Sequence, residues 1–410
     1  MTTTINNEHK KLNVPNLRFP EFLGEWEKQK LCDVSSIVGR IGFRGYTTND
    51  IVEKGMGAIA LSPTNIVNNQ LTYDKENTYI SMSKYEESPE IMIKRGDVIF
   101  VKTGSTVGKV AYVDKMICKT TLNPQVVVLK DIKCDNYILS VIMSTRNFQN
   151  KIQRITVGGA VPTLSQVAMG NIFISLPAAK EQEKISKFIS LLDERITTQN
   201  KIIEDLKKLK SAIIEEHYRQ TEKNDVCVAD LGNHFNVGNL AKDDLSETGK
   251  PCIIYGELFT TYGEIISQIE SHTNKTEGMI LSKKGDLLFP SSTTVDAVSL
   301  IAPSVINVDN VILGGDMFGI HISHNYNAQY LSYYFNHIAK KQLAKFAKGS
   351  TIIHLHYTDI EKAKLLLPSL EEQNRMAKCL VALDKKVSVE QNLLSSLNCQ
   401  KSYLLQQMFI

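Results

Sequence analysis

The stretch running from Lys102 through Thr103, Gly104, Ser105, Thr106, Val107, Gly108 and Lys109 to Val110 gathers cations, hydroxyls and two glycines after an apolar run at 98–101. The order comes close to a phosphate-binding loop and fails on detail. Three residues separate the glycines where four are needed, and Val110 stands where a Ser or Thr would reach magnesium. What remains is a turn presenting Lys102, Thr103, Ser105, Thr106 and Lys109, donors that suit phosphates and base edges. Asn123-Pro124-Gln125 begins like the motif used for adenine methyl transfer, but lacks its second proline and its aromatic, and no glycine-rich cofactor loop precedes it. His354 and His356 would share one face of an extended segment. No third ligand lies at a suitable spacing, so no metal centre is expected, and either ring could equally face DNA. Further basic and hydroxyl residues flank loops in both halves: Arg40, Arg44 and Arg154 in the first, and Lys242, Lys283, Lys284, Ser291, Ser292, Thr293, Thr294, Lys348 and Ser350 in the second. As a set they could build two polar, cationic faces.

The elements that must position these residues recur. Residues 176–218 read as one long helix, with Pro177 setting the first turn and Glu181 near the positive end of the dipole. Its seam takes Ile189, Ile196, Ile203 and Lys210 at one heptad position and Leu192, Gln199, Leu206 and Ile213 at the other. A shift of 191 residues lays 367–409 over it, matching Leu176-Pro177 to Leu367-Pro368, Glu181-Gln182 to Glu372-Gln373 and Leu192-Asp193 to Leu383-Asp384. The second seam is Leu380, Leu383, Val387, Leu394, Leu397 and Leu404. Even the polar breaks coincide, Gln199 with Glu390 and Lys210 with Lys401. Shared apolar spacing is generic, whereas shared interruptions fix register and partner, so the two helices are expected to pair with each other.

The segments between also repeat. Lys94-Arg95-Gly96-Asp97-Val98-Ile99-Phe100 corresponds to Lys283-Lys284-Gly285-Asp286-Leu287-Leu288-Phe289, the helix opening at Tyr137 to that at Tyr330, and Gly158 to Gly349. The loops between these landmarks differ: 102–109 faces 291–297 with little in common. The expected architecture is α+β: two similar α/β domains, separated by two long antiparallel helices that form a coiled coil, with a pseudo-two-fold internal repeat. The expected boundaries are an arm over 1–22, a first domain over 23–177 with a helical segment at 136–155, a helix over 178–220, a second domain over 221–368 opening on a polar linker at 221–226, and a helix over 369–410. Trp26, the single tryptophan, is read as the anchor that docks the arm. About 40 helical residues span about 60 Å, so the rod would act as a ruler between two heads.

Composition agrees with two ordinary domains. The 410 residues are 42% hydrophobic and 22% charged, with a net charge of +3 that neither demands nor excludes nucleic acid. No apolar run approaches a membrane span, and the polar N-terminal residues lack a signal-peptide core. Seven cysteines, without a C-x-x-C pair, fit a reducing compartment, and a cytoplasmic location is expected.

Two divergent heads alternating with two like helices resemble the specificity subunit of type I restriction-modification systems. The likeness is carried by the Leu-Pro, Glu-Gln and Leu-Asp landmarks of both helices, the paired Gly-Asp strands and the segment around Leu17-Arg18-Phe19-Pro20. It covers nearly the whole chain. The resemblance implies that each head reads one half of a bipartite sequence in double-stranded DNA, while the helices set the gap and dock two modification subunits. Those partners would supply S-adenosylmethionine chemistry, and restriction/translocase subunits ATP and Mg. This chain would be non-catalytic and bind no cofactor. Cys379 in place of Phe188, and Gln400 in place of Leu209, leave the two docking faces unequal. The competing reading is a coiled-coil protein with heads for peptide or carbohydrate, and a less favoured one is a nuclease or methyltransferase acting alone.

Overall fold

The computed structural model describes residues 12–73 and 76–410, and the expected arm over 1–22 lies in part outside them. Two units are present: one contains the chain up to Thr198 together with Leu394–Ile410, the other Gln199–Leu393.

In the first unit a six-stranded sheet orders Ser36–Gly39, Val126–Lys130, Val98–Val101, Val110–Tyr112, Gln70–Leu71 and Ile66–Val67, beside a four-stranded sheet built around Ala58–Leu61. The central strands Val98–Val101 and Val126–Lys130 are β-branched runs buried on both faces. Ile99, Val101, Val126 and Val128 pack to one side, and Val98, Phe100, Val127 and Leu129 to the other, against helices 136–155. The single helix expected over 136–155 is two, Asn136–Ser144 and Arg146–Ile155. Thr145 adopts an extended conformation, and its hydroxyl caps the second helix at Phe148 N–H. Trp26 is buried, exchanges backbone and amide hydrogen bonds with Asn13, and meets Phe409 edge to face at 6.0 Å.

The second unit repeats the plan with two five-stranded sheets, one centred on Asp286–Pro290 between Met317–Ile322 and Ser304–Ile306. Its core carries Phe289, Tyr333, Tyr334 and Phe335, all fully buried. The linker expected at 221–226 is partly a strand: Asn224–Cys227 pairs antiparallel with Lys364–Leu367, as Glu27–Lys30 pairs with Phe173–Leu176 in the first unit. The helix correspondence also moves by one residue. Asp135 and Asn327 cap the equivalent helices, accepting from Ile138 N–H and Tyr330 N–H, so Tyr330 answers Ile138 and not Tyr137.

The long helices are Ala179–Gln220 and Leu370–Met408. The first opens later than expected because Leu176 still belongs to strand Phe173–Leu176, which leaves Pro177 in the connection. The Glu-Gln landmark now has a physical role. The Gln182 carboxamide accepts from Asp135 N–H at 2.8 Å and donates to Pro177 O at 2.8 Å, and Gln373 does the same with Asn327 N–H at 3.0 Å and Pro368 O at 2.9 Å. Each glutamine thus latches its long helix to the cap of a domain helix. Within the first unit Lys401 meets Asp193, which also accepts from Tyr137 Oη, while Met408 and Phe409 pack in the cluster of Ile185 and Ile189. Within the second, Gln199 bonds Glu390, Lys210 bonds Asp384 and Glu264 at 2.9 Å each, and His217 bonds Glu372. In both units later residues of one helix meet earlier residues of the other, so the pairing is antiparallel. Ile189, Ile203, Leu380, Val387 and Leu397 are buried in this seam, and Leu192, Ile196, Leu206, Leu383 and Leu394 half-buried.

Two outcomes follow. Gln182→Ala strands a half-buried N–H and a buried carbonyl and should cost about 2 kcal/mol in the first unit alone, read as a shift in its urea midpoint while the second unit's transition stays in place. Burial alone would raise the Glu264 carboxyl, but the hydrogen bond from His337 and the charge and hydrogen bond of Lys210 outweigh it and hold it at about 2, below the ordinary 4.5. A carboxyl depressed on folding stabilises fully above about pH 4.5 and loses that contribution as pH falls toward about 2. Urea midpoints of the second unit should therefore fall across that window, and less steeply in Glu264→Gln.

Candidate nucleic-acid interface

The strand Val98–Val101 ends at Lys102, where a backbone frame takes over. Lys102 N–H donates to Gln125 O at 2.9 Å, Leu164 N–H to Lys102 O at 2.8 Å, and Gly104 N–H to Pro162 O at 2.9 Å. Beyond it, Val157 and Thr163 exchange both backbone bonds, at 3.0 and 2.7 Å, closing a hairpin over 157–163. The second unit builds the same frame at the end of Asp286–Pro290. Ser291 N–H donates to Asp316 O at 2.8 Å, Leu355 N–H to Ser291 O at 2.9 Å, and Lys348 and His354 exchange bonds at 2.9 and 2.7 Å. Gly158 and Gly349 begin the two hairpins with φ of +99° and +113°. A Cβ there would lie 2.7 Å from Val161 O and 2.0 Å from Ile352 O, so only glycine closes either loop.

What hangs on the frames differs. In the first unit the chain turns back through Gly104 and Gly108, where Gln149 Nε2 donates to Gly108 O at 2.8 Å and its Oε1 lies 2.3 Å from where a Cβ would stand. The glycines of the loop that approximates a phosphate-binding sequence therefore serve a turn and a close side-chain approach. In the second unit the chain pairs Ser292–Thr293 with Ile353–His354 and then enters the short helix Ala297–Leu300, capped by Asp296 through Ser299 N–H at 2.8 Å.

These frames divide the sequence-predicted residues. Ser105 is exposed, and Lys102, Thr103 and Thr106 half-exposed, on the first loop. Lys109 is exposed, with its ammonium 3.2 Å from Ile66 O. Arg40 is a correction: it is buried, its guanidinium donating to Leu122 O at 2.9 Å, Thr121 Oγ1 at 3.1 Å and Arg44 O at 3.2 Å while lying over Tyr46. It braces strand ends and presents no cation. Arg44 sits beside it at the surface, donating to Glu87 O and 3.6 Å from Glu90. In the second unit Thr294, Lys348 and Ser350 are exposed, and Thr293 and His354 half-exposed. Lys242 is exposed in the turn Lys242–Asp244, just after the segment that bridges to Gly314. Ser291 and Ser292 are a second correction, being buried under the ladder to Leu355 and His354. Only His354 of the two histidines lies in a strand. His356 precedes helix Tyr357–Ile360, and the rings are 6.1 Å apart. Among the described residues no group of three or more His, Cys, Asp or Glu is placed to hold a metal ion.

Sequence reasoning missed Asp316 and Asp359, which with Lys348, Gly349, His354 and His356 line a cleft of about 520 Å³ in the second unit. A signal existed, because Asp316 stands 191 residues after Gln125, the spacing of the repeated helices.

Each unit thus sets a polar loop face on a repeated hydrogen-bonded frame, the plan of a protein with two like recognition units. A profile of the type I restriction modification DNA specificity domain matches residues 24–208 and again 221–398, and the chain belongs to that family. It is 24% identical over 327 residues to the type I restriction enzyme MjaVIII specificity subunit of Methanocaldococcus jannaschii, covering 73% of this chain and 75% of that one. The putative MjaX specificity subunit of the same organism is 23% identical over 408 residues, 93% of this chain and 92% of the relative. The fold matches the crystal structure of the S subunit of a type I restriction-modification system from M. genitalium, with a TM-score of 0.60 at 15% identity over 97% and 99% of the two chains. The function is therefore that of a specificity subunit, recognition of a DNA target, and not the binding of peptide or carbohydrate.

The division of residues predicts contrasting variants. Arg40→Ala should lower the melting temperature of the first unit, because carbonyls and a hydroxyl lose a buried donor. Lys102→Ala should leave melting unchanged and weaken DNA binding by the assembled complex several-fold at moderate salt, measured by fluorescence anisotropy.

Proposed function

We propose that each unit reads one half of a bipartite sequence in double-stranded DNA, and that the paired long helices set the gap and dock two modification subunits. The carrying observation is one backbone frame built twice, with unlike side chains on it. Divergence between the loops Lys102 to Lys109 and Ser291 to Ala297, hung on that shared frame, is what two different half-sites require of two copies of one reader. Ala179–Gln220 begins in the first unit and ends in the second, as Leu370–Met408 does in reverse, so the spacing element is continuous helix.

Docking of protein partners is supported by apolar residues left at the surface of these helices. Leu191, Ile202 and Leu209 on the first, and Val389, Leu393 and Tyr403 on the second, are exposed. Cys379 and Gln400, which replace Phe188 and Leu209, make the second face the poorer one. On this reading the chain is the non-catalytic address reader, acting in the cytoplasm. It binds no cofactor itself: modification subunits bring S-adenosylmethionine, and restriction/translocase subunits bring ATP and Mg.

The test is a head exchange. Residues 23–177 replaced by the corresponding segment of a relative should change one half of the methylated motif and leave the other half and the gap intact, as mapped by sequencing methylated adenines after co-expression with the modification subunit. A change in both halves, or in neither, contradicts the reading. The purified chain alone should transfer no methyl group to DNA.

A further inference from the structure

Gln125 and Asp316 hold one place in the two frames. The backbone carbonyl of each accepts from the first residue beyond the central strand, Lys102 N–H at 2.9 Å and Ser291 N–H at 2.8 Å. Their spacing of 191 residues is that of Gln199 and Glu390 in the helix seam. The main chain is thus shared at this point, and the side chains are an amide in one unit and a carboxylate in the other.

Asp316 lines the cleft with Lys348, His354, His356 and Asp359. The two carboxylates there are in different states. Asp359 accepts from Lys348 Nζ and from His356 N–H, contacts that hold its pKa below the ordinary value. Asp316 is half-exposed, and among the described residues its carboxylate has neither a hydrogen bond nor an ion pair. An unpaired negative charge on a face that meets phosphates is repelled unless it finds a donor. In the major groove the base-edge donors are the amino groups of cytosine and adenine. Gln125 is exposed, and its Oε1 has only a long contact, 3.4 Å, from Asn123 Nδ2. An amide in that setting both donates and accepts, the pattern that pairs with the N7 and amino edge of adenine.

We infer that Gln125 and Asp316 are base-reading residues at equivalent positions, Asp316 accepting from a cytosine or adenine amino group in one half-site and Gln125 pairing with an adenine edge in the other. This assignment rests on the bipartite DNA-reading proposal. Frame and reader are then separable: the backbone carbonyl holds the strand end, and the side chain on the same residue carries the specificity.

The experiment selects duplexes from a library randomised in both half-sites, using the chain assembled with its modification subunits, as wild type, Asp316→Asn, Asp316→Ala and Gln125→Ala. Asp316→Asn is near-isosteric and keeps the carbonyl contact. Asp316→Ala should relax preference by roughly tenfold or more at one base pair of one half, whereas Asp316→Asn, whose amide suits the adenine edge, should turn a cytosine preference there toward adenine or keep an adenine one. Gln125→Ala should relax preference likewise at one base pair of the other half, with the gap and all remaining positions unchanged. Both Asp316 variants selecting the wild-type motif at every position would overturn the assignment. So would both losing selection altogether while the wild type retains it, because a reader of one base costs one position and not the site. A wild-type complex that selects no bipartite motif would instead overturn the DNA-reading proposal, and this assignment with it.

Discussion

Polar contacts set into an apolar helix seam govern this molecule. Apolar residues at heptad spacing give two long helices a reason to pair but leave many registers nearly equal in energy, since one turn of sliding exchanges one set of Leu and Ile for another. Lys210 removes that freedom. Displaced from Asp384 and Glu264 it would be a half-buried ammonium without a partner, and they would face each other as like charges. Gln199 with Glu390 and Lys401 with Asp193 impose the same demand. Such pairs add little net stability over well-packed apolar residues, and their effect is to make one antiparallel register far better than its neighbours.

The domains are tied to that register by short polar links. Asp193 and Asp384 each hold a domain tyrosine as well as a lysine of the opposite helix, and Gln182 and Gln373 hold the caps of domain helices. In the second unit the link is reinforced by Glu264 and His337 around Lys210. A domain is therefore oriented by its helix, and the loop face by the strand that ends in the frame. Binding energy spent at a loop is not lost in reorienting a loosely hung head.

Much of this was legible in the sequence, because repetition converts weak signals into a strong one. One Glu-Gln pair says nothing; two at the same offset from two Leu-Pro pairs mark a joint, and the structure shows the joint to be a carboxamide bridging an N-cap and a carbonyl. The seam residues could be written down from periodicity. The break at Thr145 could not, since a threonine between two helix-forming stretches reads as part of either until its extended backbone is seen. The strand at Asn224–Cys227 was hidden for a similar reason: short, polar and at an edge, it depends on pairing with Lys364–Leu367 and not on its own propensity. The binding face was the least legible part. Arg40 has the composition of a surface cation, and its burial depends on carbonyls at Leu122 and Arg44 that no local pattern reveals. Ser291 and Ser292 lie in the frame, whereas Asp316, an acid that a search for basic residues passes over, lines the cleft.

The central claim is that two rigidly framed loop faces read separate segments of one DNA duplex. Missing-base interference on the target bound by the assembled complex addresses it most directly, because it asks each position of the duplex whether its base matters to binding. The account predicts two short clusters of sensitive positions flanking an interval where base removal is tolerated. A single continuous cluster, or sensitivity spread evenly across the interval, would contradict it.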